Sequence, residues 1–120
     1  MLTRRGEEED FVASGYALVV RFTLRDASAA LEFDDLVART VEDVRTEAGT
    51  LVYAVHTPVD EPLVRVFYEL YADRDAFQAH ESQAHTQRFL AAREALLSNV
   101  EVTFLNELKG LSKRPGTEES

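Results

Sequence analysis

The chain has 120 residues and no cysteine, which suits a single domain and excludes a disulfide framework, a thiol nucleophile, iron–sulfur ligation and any Cys-based zinc site. Its hydrophobic fraction of 45% and charged fraction of 29% are those of an ordinary globular protein. Acidic residues outnumber basic ones 22 to 13, and the net charge of −9 argues against nucleic acid or an anionic membrane surface as a partner, since both repel it.

Residues 1–13 are charged. Arg4 and Arg5 are followed by Glu7, Glu8, Glu9 and Asp10 with no apolar h-region behind them, so a secretory signal is not expected and the cytoplasm is the expected compartment. Residues 110–120 are polar with Gly and Pro. Both ends read as disordered tails around one domain at 14–109. No window approaches the roughly 18 apolar residues that a membrane span needs.

Tyr16 to Leu24 is short, β-branched and aromatic, and predicts the first strand. Asp26 and Ser28 offer N-cap oxygens. Beyond them Phe33, Leu36, Val37, Thr40, Val41 and Val44 recur at helical spacing, predicting an amphipathic helix closed by Gly49 as its C′ residue. Leu51 to His56 predicts a second strand. Thr57 to Pro62 is a turn with two prolines, and Leu63 to Tyr71 predicts a third strand. Asp73 caps a second helical region running to about residue 97, with a break near Ser82–Ala84, and Val100 to Leu108 predicts the fourth strand.

The order is β-α-β-β-α-β, the ferredoxin-like arrangement within the α+β class: a four-stranded antiparallel sheet with both helices on one face. The third strand alternates Val64, Val66, Tyr68 and Leu70 with Arg65, Phe67, Glu69 and Tyr71, so both of its faces are apolar in large part. Helices cover one face of such a sheet. A second copy of the chain, sheet against sheet, is the simplest cover for the other, and a homodimer is expected.

Few residues suit chemistry. His56 ends the second strand and reads either as an edge residue bonded to backbone or as a general base. Glu69 stands mid-strand among aromatics, where a carboxylate is either ion-paired or an acid of raised pKa. His80 and His85 are five apart, about 500° around a helix, unlike an i, i+4 zinc pair, so no metal is expected. Tyr53, Phe67, Tyr68, Tyr71, Phe77 and Phe89 supply aromatic surface. There is no phosphate-binding glycine loop and no Gly-x-Ser-x-Gly turn.

Three segments carry a family resemblance. Glu47 to His56 (EAGTLVYAVH) resembles the E-P-G-T-L-x-Y-x-x-H segment of the antibiotic biosynthesis monooxygenase superfamily. Phe67 to His80 (FYELYADRDAFQAH) resembles its F-x-x-E-x-[WY]-x-D-x-x-A-[FL]-x-x-H segment, and His85 with Phe89 resembles the segment that follows. The resemblance implies a dimeric α+β barrel and, among members of known activity, oxidation of quinols or polyphenolic aromatics by molecular oxygen without metal, flavin or haem. It implies catalytic roles for His56, Glu69 and His80, and a small aromatic substrate held by Tyr53, Phe67, Tyr71, His85 and Phe89. Relatives that degrade haem carry an Asn on the first strand. Leu18-Val19-Val20 stands there instead, so haem is not expected. A non-catalytic dimeric module that binds a small ligand, and an isomerase or cyclase on the same scaffold, are the alternative readings.

Overall fold

The computed structural model describes residues 15–115. Strand β1 spans Gly15–Leu24, helix α1 Ala27–Val44, β2 Thr50–His56, β3 Val64–Tyr71, α2 Arg74–Glu81, α3 Ala84–Ala92, a 3-10 turn Arg93–Leu96, and β4 Leu97–Glu107. The sheet order is β2-β3-β1-β4 with antiparallel pairing throughout, so the β-α-β-β-α-β reading and the helices on one face hold. Among the described residues no helix is long and apolar enough to cross a membrane. The expected tail at 1–13 lies outside the described residues, as do 116–120. Within 110–115, Arg114 Nε donates to Glu107 Oε2 at 3.2 Å.

Both helical regions start where their caps predict. The Asp26 carboxylate accepts the Ala29 N–H and the Asp73 carboxylate accepts the Ala76 N–H, each at 2.8 Å, satisfying donors that the first turn of a helix leaves free. The C-terminus of α1 departs from expectation. It ends at Val44 with Arg45 as its cap, and Gly49 does not have a positive φ. The glycine serves a close approach instead: a Cβ on it would stand 2.6 Å from the Ala76 Cβ on α2.

The second helical region breaks where periodicity weakens. Gln83 takes an extended backbone between α2 and α3. β4 begins at Leu97, three residues before the expected start. The 3-10 turn hands the chain to an extended Leu97 that pairs with Leu24 across a bulge.

Alternation along the strands divides the sheet. Leu18, Val20, Phe22, Phe67 and Tyr71 form the face against the helices and build one core with Phe33, Val37 and Phe89. Its centre is aromatic: the Phe22 ring lies 4.8 Å from Phe67 and 5.2 Å from Phe33 between centroids. On β4, Val102 and Phe104 share this face, paired with Val20 and Leu18, yet they are 46% and 53% exposed.

Candidate functional site

A cavity of about 160 Å³ lies between the helix-facing side of the sheet and α2, α3 and the 3-10 turn. Its sheet wall includes Leu18, Val20 and Tyr53, with Glu69 as the one carboxylate contributed by a strand. The helical wall includes Phe77, His80, Thr86, Phe89 and Arg93. An apolar cavity of about 150 Å³ is large enough for benzene, so this one is the size of a single aromatic ring.

His80 enters the cavity from the last turn of α2 and is 5% exposed. Its Nδ1 lies 2.8 Å from Glu47 Oε1. His85, near the start of α3, reaches the other oxygen of the same carboxylate through Nε2. Thr50 Oγ1 donates to Glu47 Oε1 at 2.6 Å. The break at Ser82–Gln83 is what allows both histidines to face one carboxylate, which a continuous helix forbids.

Burial alone raises the pKa of Glu47, but the hydrogen bonds from Thr50, His85 and His80 outweigh it and hold the carboxyl below its usual range. An ionised carboxylate only accepts, so the facing nitrogens of both imidazoles carry hydrogen. The Nε2 of His80 is then the nitrogen left for proton transfer.

Glu69 and Tyr71 stand two residues apart on β3 and so share a face. The Tyr71 hydroxyl donates to Glu69 Oε1 at 2.7 Å. Burial pushes the Glu69 carboxyl above its usual range, against the Tyr71 hydrogen bond, which draws it down. Burial, with the Glu69 charge next, also pushes the Tyr53 and Tyr71 hydroxyls upward and keeps them neutral. The cavity thus combines a carboxylate-oriented imidazole, a carboxyl disposed to keep its proton, and aromatic walls.

The expected site residues do not all meet there. Tyr53, Glu69, His80 and Phe89 line the cavity. Tyr71 is fully buried behind it, with its ring 5.2 Å from that of His80, and Phe67 belongs to the aromatic core. His85 touches the site only through Glu47. His56 stands apart. It pairs with Val66 on the opposite face of the sheet, is exposed, and sets its Nδ1 3.3 Å from the Val66 carbonyl, the edge-residue alternative for this position.

Three contributors were not anticipated. Glu47 lies 33 and 38 residues from its histidine partners, a separation no local spacing reveals. Thr86 and Arg93 fall at i−3 and i+4 from Phe89, and that spacing could have placed them on its helix face.

Glu47, His80 and His85 could also present a metal with three donors, whose atoms lie within 4.8 Å of one another. Two histidines and a carboxylate are a recognised ligand set. Here the carboxylate already accepts from both rings and from Thr50.

Residues 15–92 match the family model for antibiotic biosynthesis monooxygenase. Among solved structures, Rv0793 from Mycobacterium tuberculosis is similar with a TM-score of 0.75 and 28% identity, covering 82% of this chain and 100% of that one. PA3566 from Pseudomonas aeruginosa gives 0.72 and 27%, covering 81% and 97%. A Caulobacter crescentus CB15 protein whose name proposes an antibiotic biosynthesis monooxygenase gives 0.77 and 22%, covering 87% and 99%, a likeness of fold. No curated protein matches the chain.

Proposed function

The chain belongs to the antibiotic biosynthesis monooxygenase family, and from that premise we propose that it oxidises a quinol or related polyphenolic aromatic with O2, using no resident cofactor. The observation that carries this reading is His80: it lines a cavity the size of one aromatic ring while its Nδ1 is held by the buried Glu47 carboxylate. Its role is to take the phenolic proton through Nε2.

The phenolate then passes one electron to O2, giving a phenoxyl radical and superoxide. These recombine at a ring carbon to form the C–O bond. Cleavage of the O–O bond with loss of the ring hydrogen leaves a hydroxyquinone and releases one water, so a hydroquinone and O2 are consumed one for one. Glu69, held in place by the Tyr71 hydroxyl, orients the substrate from the sheet wall. Tyr53 and Phe89 provide the aromatic walls.

The working unit is proposed to be a homodimer. A second copy laid on the sheet face away from the helices would cover Leu105 on β4, which pairs with Ala17 there and is 38% exposed, together with the half-buried Val66 and Tyr68. Sedimentation of the purified protein reports the assembly, with a monomer at micromolar concentration overturning it.

The decisive measurement is oxygen consumption with a panel of single-ring hydroquinones, without added metal. Uptake equal to substrate oxidised supports the reading. Background uptake across the panel, with a ligand still raising the melting temperature, replaces it with a non-catalytic binding module.

A further inference from the structure

Two polar atoms on the cavity wall are fully buried and have no hydrogen-bond partner: Thr86 Oγ1 and Arg93 Nε. Buried groups of this kind are rare in folded proteins and each calls for a physical cause. These two are seven residues apart, two helical turns, and so lie along one side of the α3 and 3-10 run with Phe89 between them.

The Arg93 guanidinium is seated on aromatic rings, 5.2 Å from the centroid of Phe22 and 5.9 Å from that of Phe89. Arg65, by comparison, is closed by a two-point pair with Asp34. Among the described residues Arg93 has no such partner. Glu94, Glu81 and Glu69 act on it only through space, and Glu69 is bonded to Tyr71. A half-buried cation on apolar walls, with an unpartnered hydroxyl on the same side of the helical run, is the counterpart of a missing anion.

We propose that Thr86 and Arg93 form a subsite for a carboxylate carried on the ring of the ligand, so that the cavity selects aromatic acids over neutral aromatics. A carboxylate fits better than a lone phenolate because the Nε edge of a guanidinium offers parallel donors matched to two oxygens, and Thr86 adds a hydroxyl on the same cavity wall. The net charge of −9 opposes anions at long range, so the selectivity arises from these local donors. This inference rests on reading the cavity as the ligand site and narrows its substrate class to quinols bearing a carboxylate.

The test is calorimetric titration of the full chain with 4-hydroxybenzoate and with 4-hydroxybenzamide, which match in shape and differ in charge. Wild-type protein is expected to bind the acid about tenfold more tightly or better, the margin of a charge-assisted hydrogen bond. Arg93→Gln abolishes the preference, Thr86→Val reduces it, and Arg93→Lys retains part of it. Equal affinity for acid and amide in the wild type, binding of neither, or a preference that survives Arg93→Gln overturns the subsite. The wild-type comparison needs no variant to fold.

Neither probe is a quinol, so the outcome is independent of oxygen uptake. Acid selectivity without turnover of any hydroquinone sinks the monooxygenase reading and leaves the subsite. Turnover of neutral hydroquinones without acid selectivity does the reverse.

Discussion

Glu47 and His80, 33 residues apart in sequence, meet at 2.8 Å with both side chains buried, and this contact fixes which imidazole nitrogen faces chemistry. The carboxylate accepts from Nδ1, so the proton of the neutral ring stays there. Glu47→Gln removes that constraint, because an amide can donate to Nδ1 and drive the proton to Nε2, where the base is needed. It also weakens the bonds from Thr50 and His85. We expect turnover to fall by about a hundredfold or more, the usual contribution of a positioned base, and urea melts to record a loss of about 1–3 kcal/mol for a damaged buried network.

His80 and His56 separate the two sides of the sheet. His80→Gln should lower oxygen uptake by about 10² to 10⁴. His56→Gln should leave turnover unchanged and shift stability by no more than about 0.5 kcal/mol, as an exposed strand-end substitution does. Steady-state rates of the two variants beside wild type make the comparison. Equal losses would place the base on the far face.

The buried carboxyl of Glu69 sets a pH dependence. Burial raises its folded pKa above the usual carboxylate range, so the folded state holds the proton more tightly than the unfolded chain. Its contribution is therefore fully present below the unfolded value near 4.5 and is lost as pH rises through the folded pKa. Glu69→Gln keeps the size of the side chain and removes the titration. Thermal melts from pH 4.5 upward should show the variant losing less stability than wild type. Parallel curves would sink the assignment.

Gly49 predicts a packing effect of its own. Its hydrogen stands where a Cβ would be 2.6 Å from the Ala76 Cβ, with the α2 backbone just behind at 3.5 Å. Gly49→Ala should cost about 1–3 kcal/mol through overpacking, since the obstructing atom cannot swing aside. The double variant Gly49→Ala, Ala76→Gly restores the space and should recover part of that loss in a chemical melt.

The fold was legible because its signals are local. Period-2 alternation marked the strands, Asp26 and Asp73 marked the helix starts, and the weakened pattern at Ser82–Ala84 marked the break. Gly49 misled because a glycine after a helix reads as a cap, whereas here it clears a path for a neighbouring helix. The site was legible only where a strand or helix declares its own face. Alternation separates Tyr53 from His56, although a strand-end histidine alone does not say which face is covered. Glu47 was hidden because its value lies in two histidines brought to it by the fold. Arg93 was hidden because an arginine at a helix end reads as solvent-facing until its neighbours prove to be Phe22 and Phe89.

The Glu47, His80 and His85 cluster allows a direct test of cofactor independence. Its three donor atoms are close enough to surround an ion, and two histidines with a carboxylate suit iron or zinc. Ligation requires His80 Nδ1 and His85 Nε2 to give up the hydrogens they donate to Glu47, and requires the carboxylate to exchange its bonds for a metal bond. The bonds from the two rings and Thr50 already hold the Glu47 carboxyl ionised. Dialysis against EDTA is therefore expected to leave both oxygen uptake and melting temperature unchanged, and added Zn²⁺ or Fe²⁺ is expected to raise neither. A bound ion stabilises the folded state by mass action, so its removal would lower the melting temperature along with activity. That paired loss, restored by one metal, would make the cluster a metal centre and overturn the assignment of His80 as the free base.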